Sequence, residues 1–344
     1  MHEAMYYNKL EDHKVKCTLC PWNCIIKNEK YGVCKVKKNV DGKLVSIVYG
    51  KPIGMHADPI EKKPLFHFLP GKAVYSFGTF GCNFFCIGCQ NYEMSKEWEE
   101  EQIAKAEISP ECVVELAKKE GCEMIAFTYN EPIIFYEYML DVAKTAKKRR
   151  IKCIMVSNGY INTEPLQELI KYIDAANIDL KGFSEEFYKK WTKGKLAPVL
   201  ETIKTLRKAD IWIEITTLII PKENDNPVEI EKMCKWIKEN IGNNVPLHFS
   251  RFFPMYKAED KIATPIVSLL KLKKIANKYL NYVYIGNVYN AVNVYGENNN
   301  NFENTICPEC KNILVNREGY RIIKNKIKNG KCSKCNTEIK GVWK

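Results

Sequence analysis

The sequence predicts an α/β fold, an incomplete barrel of parallel strands with a small cysteine-rich segment at each end. Three observations carry this. Short apolar runs alternate with amphipathic stretches from residue 73 to about 290, the pattern of a parallel sheet with crossover helices. Eleven of the 15 cysteines fall into three tight groups, 17/20/24/34, 82/86/89 and 307/310/332/335. A polar run, Gly296 to Asn301, sets residues 307–344 apart and reads as a linker.

Composition bounds the rest. The chain has 344 residues and is 46% hydrophobic, enough to bury a sizeable core. No apolar run reaches the roughly 18 residues of a membrane helix. The most apolar stretch, Ile211 to Ile220, is broken by Glu214. Met1-His2-Glu3-Ala4 does not open a secretory signal, so a cytoplasmic location is expected. The net charge of +12 sits at the ends: residues 1–72 carry 13 Lys/Arg against 7 Asp/Glu, and residues 307–344 carry 10 against 3. Nucleic acid is the less favoured explanation. Metal-bound thiolates carry negative charge, and nearby lysines offset it.

Taken in order, residues 1–72 form an N-terminal four-cysteine metal-binding region. Leu44 to Tyr49 reads as a strand after an Asp41-Gly42 turn. Lys51 to Gly71 is punctuated by proline and glycine. Residues 73–295 form the barrel, with strands at 73–79, 123–128, 152–157, 174–180, 211–220, 245–252 and 282–286. Ser109-Pro110 caps a helix, and Thr163 is expected to cap another, with Pro165 in its first turn. Further helices are expected at 133–149, 198–209, 227–240 and 265–279. Six or seven such units favour a partial barrel over an open doubly wound sheet. Residues 296–306 are the linker and 307–344 a separate module. The scattered Cys112, Cys122, Cys153 and Cys234 read as small core residues.

Cys82-x3-Cys86-x2-Cys89 directly follows the first barrel strand. Three thiolates on one loop can hold three irons of a cubane and leave the fourth open, as a catalytic metal requires. The alternative is a structural cluster or zinc site completed by a distant cysteine.

This loop resembles the radical SAM superfamily. The resemblance implies a partial TIM-like (β/α)6 barrel and a 4Fe–4S cluster whose open iron binds S-adenosylmethionine (SAM). It implies reductive cleavage to methionine and a 5′-deoxyadenosyl radical, with a ferredoxin or flavodoxin as reductant. Strand-end motifs follow in the family's order. Tyr129, Asn130 and Glu131 stand where a Gly-Gly-Glu motif receives the SAM ammonium. Ser157 and Asn158 resemble the segment that contacts the methionine or ribose part. Asp179-Leu180-Lys181 resembles glycyl-radical activating enzymes, and Lys181 is placed to pair with the SAM carboxylate. His248 and Arg251 are further candidates to line the pocket. The family often has an aromatic before the third cysteine, where this chain has Gly88; Phe84 or Phe85 is expected to cover that face.

A closer resemblance runs along 58–71 (DPIEKKPLFHFLPG), 81–91 (GCNFFCIGCQN), 128–132 (TYNEP), 157–160 (SNGY), 179–183 (DLKGF) and 248–254 (HFSRFFP). These segments are similar to the radical SAM enzymes of the AmmeMemoRadiSam system, relatives of pyruvate formate-lyase activating enzyme. That implies AMMECR-type and Memo-type partners and leaves the substrate open. A protein glycyl residue, a small molecule and a lipid precursor all stand as substrates, and a metal- or nucleic-acid-binding scaffold stands as the non-enzymatic alternative.

Cys307-x2-Cys310 and Cys332-x2-Cys335 read as a zinc ribbon, with a rubredoxin-like iron site as the alternative. Lys324, Lys326, Lys328 and Lys331 give it a basic face. Cys17, Cys20, Cys24 and Cys34 fit zinc and ferredoxin-like ligation equally. A cluster there would serve as an auxiliary electron carrier.

Overall fold

The computed structural model describes residues 2–288 and 302–344. The first part of the expected linker, 296–301, lies outside the described residues. Eight strands form one sheet in sequential order: β1 (Ile53–Pro59), β2 (Ala73–Gly78), β3 (Met124–Phe127), β4 (Lys152–Ser157), β5 (Ala175–Asp179), β6 (Trp212–Ile219), β7 (Leu247–Arg251) and β8 (Val283–Gly286). From β2 to β8 every pairing is parallel. Helices α1 (Pro110–Lys119), α2 (Tyr136–Lys148), α3 (Thr163–Leu169), α4 (Leu196–Lys208), α5 (Pro227–Asn240) and α6 (Ile266–Ala276) make the six crossovers. The sheet begins at β1 and ends at β8 without closing. This is a partial (β/α)6 barrel.

Each parallel strand lies inside its expected range, because strands covered on both faces read as continuous apolar runs. β3, for example, is buried at every position. Strand β1 was not expected. It pairs antiparallel with β2 at the sheet edge, and most of its side chains are at least partly exposed. Its Gly54, His56 and Pro59 hide it, as edge strands tolerate such residues.

Caps follow local chemistry. Ser109 Oγ accepts from the Cys112 amide above Pro110. Asn226 does the same for Val228 above Pro227. At α3 the N-cap is Asn162, not Thr163. Its side-chain amide donates to the Thr18 carbonyl at 2.7 Å, so it ties the N-terminal segment to the barrel. Of the scattered cysteines, Cys122, Cys153 and Cys234 are buried. Cys112 is exposed on the first turn of α1, which corrects its reading as a core residue.

The N-terminal segment forms two three-stranded antiparallel sheets. It is anchored to α2 by a buried Lys37–Glu137 ion pair, each side chain 2% exposed. Breaking such a pair costs about 3–5 kcal/mol, since the remaining charge is left buried. Residues 305–332 form a three-stranded sheet and a hairpin. Buried Arg317 docks this module by donating to the Phe66 carbonyl at 2.8 Å.

Pro64 to His67 crosses the concave side of the sheet. Asn177 of β5 donates to the Pro64 carbonyl. Glu214 of β6 accepts from the amides of Phe66 and His67 at 2.9 and 2.7 Å and from His248 Nε2 at 2.7 Å. Burial alone would raise the Glu214 carboxyl; the His248 hydrogen bond and the backbone amide hold it below the usual value. His67 is fully buried, with its ring nitrogens bonded to the Lys340 carbonyl and the Tyr284 hydroxyl. Burial pulls its pKa down to about 4.

A depressed histidine adds stability above its unfolded pKa of about 6.5 that is lost as pH falls toward 4. The expected loss is about 3 kcal/mol. Urea unfolding at stepped pH should show this slope in the wild type and not in His67→Gln. An equal slope in both would assign it to other groups.

Candidate active site

The loop after β2 carries Cys82, Cys86 and Cys89, all partly buried. It stays in place through backbone and side-chain ties on three sides. Phe85 and Ile87 donate to the carbonyls of Thr192 and Trp191 at 2.8 and 3.2 Å. Lys96 Nζ donates to the Cys82 carbonyl at 2.8 Å. Asn130 at the end of β3 donates to the Gly81 carbonyl at 2.8 Å and accepts from the Thr79 amide at 3.2 Å. Burial pushes the Cys86 thiol up to about 11 and Cys82 higher still. Both stay protonated near neutral pH until a metal supplies positive charge.

The next strand ends are tied through Glu131. Its buried carboxylate accepts from the Ile133 amide, Ser157 Oγ and the Asn158 amide at 3.0, 2.7 and 2.8 Å. Burial nevertheless pushes it up to about 7. Asn158 donates to Asn83 Oδ1 on the cysteine loop at 2.8 Å. At the end of β5, Lys181 Nζ donates to Asp179 Oδ2 at 2.8 Å. Burial works against the ammonium, but Asp179 and Cys86 hold it well above the ordinary lysine value.

These groups border one cavity of about 400 Å³, ample for a small molecule. Cys82, Cys86, Cys89, Tyr129, Asn130, Glu131, Asn158, Asp179 and Lys181 all line it. No fourth cysteine does, among the described residues. Ser157 stands behind Glu131. His248 and Arg251 do not line this cavity: His248 lines a neighbouring one, and Arg251 donates to the Thr264 carbonyl at 2.9 Å. Tyr129 has φ +70°, and its hydroxyl bonds Asp58 at 2.5 Å and His56 at 2.9 Å.

Four participants were missed: Asn83, Lys62, Lys63 and Trp191. Asn83 lies directly after Cys82 and bridges to β4. Lys62 and Lys63 line the cavity and both pair with Asp58; they sit in the 58–71 segment that drew notice only as a whole. Trp191 explains Gly88. A Cβ on Gly88 would lie 2.9 Å from Trp191 Cζ2 and 3.0 Å from Phe252 Cε2. An aromatic ring therefore does stand at this position, supplied by the Tyr188–Thr192 helical turn. Phe84 is buried against Tyr160 and Tyr188 and reaches the cavity. Phe85 packs under Lys96 and against Trp22.

The C-terminal cysteines meet closely. Cys307 and Cys335, and Cys310 and Cys332, are each 3.6 Å apart. All four sulfurs lie within 4.8 Å of one another, a spacing suited to one metal ion. No described helix is long and apolar enough to cross a membrane.

A family model described as the radical SAM superfamily matches residues 77–237. An uncharacterised protein of Methanocaldococcus jannaschii is 42% identical over 342 residues, 98% of this chain and 99% of that one. The 4-hydroxyphenylacetate decarboxylase activating enzyme of Clostridium scatologenes is 27% identical over 119 residues, 34% of this chain and 38% of that enzyme. The match therefore spans well under half of that enzyme. Streptococcus suis SuiB superposes with a TM-score of 0.49 at 13% identity, covering 66% of this chain and 51% of that one. With its cysteine loop at the first parallel strand end and its strand-end groups around one cavity, the chain belongs to the radical SAM superfamily.

Proposed function

We propose that Cys82, Cys86 and Cys89 hold three irons of a 4Fe–4S cluster, and that SAM occupies the adjoining cavity and yields a 5′-deoxyadenosyl radical that takes hydrogen from a second substrate. The observation that carries this is the joint lining of one cavity by three thiols without a fourth and by the Asp179–Lys181 pair. When bound, the cluster supplies one electron to the sulfonium of SAM, with a ferredoxin or flavodoxin as its source. Lys181, held by Asp179, suits the methionine carboxylate, and the Tyr129-Asn130-Glu131 stretch stands where the family receives the ammonium. Trp191, Phe84 and Leu218 give the cavity apolar walls that exclude water and stray hydrogen donors.

For the second substrate, a glycyl residue of a partner protein is the first reading. Similarity to an activating enzyme and the Asp179-Leu180-Lys181 run support it. A second reading is a small molecule or lipid precursor, handled with AMMECR-type and Memo-type partners. Lys62 and Lys63, and Tyr320 of the C-terminal module, also line the cavity, polar groups that suit a small substrate and favour this reading. A structural zinc at Cys307, Cys310, Cys332 and Cys335 is part of the proposal, as is a reducing, cytoplasmic setting for 15 free thiols.

Anaerobically reconstituted, reduced protein should convert SAM to 5′-deoxyadenosine. Undiminished product from Cys86→Ala would sink the assignment. Asn130→Ala frees the Gly81 carbonyl and the Thr79 amide, and should slow cleavage by about tenfold or more, equivalent to about 1.4 kcal/mol, while leaving the melting temperature nearly unchanged. Gly88→Val collides with Trp191 and should cut iron content at the loop; Gly88→Val paired with Trp191→Ala should recover part of it. Cys332→Ser should release about one zinc per chain and unfold the C-terminal module, since bound metal supplies its folding energy. Retained zinc would refute that site.

A further inference from the structure

The four N-terminal cysteines form a site that the SAM reading does not use. Cys17 ends the strand Val15–Cys17, and its amide donates to the Cys24 carbonyl at 2.9 Å. Cys20 and Cys24 lie on the connection to Ile25–Ile26, and Cys34 precedes the strand Lys37–Val40. All four border one small cavity, closed by Leu19, Ile26, Ile133 and Ile134.

The sulfur spacing separates two kinds of metal. Four thiolates around one zinc, each at ~2.3 Å, bring the sulfurs to about 3.8 Å from one another. The C-terminal cysteines have that arrangement, with two sulfur pairs at 3.6 Å. The N-terminal cysteines do not. Among the described residues, only the C-terminal group has its sulfurs all within 4.8 Å. The N-terminal cysteines are not gathered in that way, yet all four line one cavity. A cubane calls for this, because each thiolate binds a different iron at a different corner.

The two cysteine sites also touch. Gly81, directly before Cys82, has φ +95° and lies so close that a Cβ there would be 2.7 Å from the Cys34 carbonyl and 2.6 Å from Val36. Asn83, directly after Cys82, lines the four-cysteine cavity. Trp22, between Cys20 and Cys24, donates from Nε1 to the Asn83 carbonyl at 2.7 Å. Lys96, bonded to the Cys82 carbonyl, lies within electrostatic reach of Cys34 as well as Cys82 and Cys86.

We propose that Cys17, Cys20, Cys24 and Cys34 hold a second, fully ligated 4Fe–4S cluster in electronic contact with the one at Cys82, Cys86 and Cys89. The site accepts one electron from a low-potential one-electron donor protein, going from the 2+ to the 1+ state. It returns to 2+ as that electron passes to the neighbouring cluster, with no bond made or broken. The existence of the second cluster stands by itself; the passage of the electron rests on the radical SAM reading.

Full-length protein reconstituted without oxygen should contain about eight irons, by cluster stoichiometry, and about one zinc. The triple variant Cys82→Ala, Cys86→Ala, Cys89→Ala should keep about four irons and four sulfides. Its reduced EPR signal should ignore added SAM. A triple variant with no iron and a second zinc overturns the proposal. Cys20→Ser with Cys24→Ser should lose the N-terminal signal and keep one that SAM shifts. A remaining signal indifferent to SAM would sink the catalytic reading and leave the second cluster standing. For contact, the reduced wild-type spectrum should be split or broadened relative to the sum of the two variants; a simple sum overturns that half. If the double variant does not fold, faster spin relaxation of the N-terminal signal in the wild type than in the triple variant reports the same contact, and equal rates overturn it.

Discussion

The rim of this barrel depends on two adjacent side chains at the end of β3. Asn130 holds the cysteine loop by the Gly81 carbonyl and the Thr79 amide. Glu131 holds the end of β4 through Ser157 and the Asn158 amide. One dipeptide therefore fixes three consecutive strand ends relative to each other. Loops at a strand terminus have no ladder of their own, and their backbone groups need partners when buried. Here side chains supply part of those partners, beside the backbone carbonyls of Trp191 and Thr192, which lets the loop keep an irregular shape suited to metal ligation. Two further ties complete the frame: Asn158 to Asn83, and Lys96 to Cys82. Cavity-lining groups such as Lys181 and Asp179 sit on the next strand end of this braced rim.

A barrel that does not close must cover its concave side by other means. Pro64 to His67 does so here. Its backbone amides are satisfied by Glu214, which is itself satisfied by His248. A buried carboxylate is tolerable only with such saturation. The layer also accounts for His248 not lining the cavity beside the cysteine loop: its ring is committed to Glu214. The same stretch receives Arg317 and the Lys340 carbonyl from the C-terminal module. The plug thus joins the sheet to the module, and the module places Tyr320 at the cavity.

The sequence made the parallel strands legible, because each is a buried apolar run, and it made the cysteine loop legible through its spacing. It concealed β1, whose exposed edge position leaves no apolar pattern. Of the strand-end residues it singled out, Tyr129, Asn130, Glu131, Asn158, Asp179 and Lys181 line the cavity, and His248 and Arg251 do not. Both lie on a strand that points toward the site, yet their side chains are taken by Glu214 and Thr264. Strand-end position locates a residue along the barrel axis. Which groups compete for its side chain is set by other segments, and Glu214 lies 34 residues away from His248 in sequence.

Gly88 shows the same separation of position from chemistry. A motif search expects an aromatic within the cysteine loop. The loop has glycine, and the ring arrives from Trp191, on a helical turn that also receives the amides of Phe85 and Ile87. Two effects follow from one packing choice. The ring can approach the loop backbone only where no Cβ intervenes, so Gly88 and Trp191 are mutually dependent. And because Trp191 belongs to the segment after β5, the apolar wall of the cavity is coupled to the strand end that carries Asp179 and Lys181. Movement of that segment would shift the ring and the charged pair together, which a ring mounted on the cysteine loop could not do.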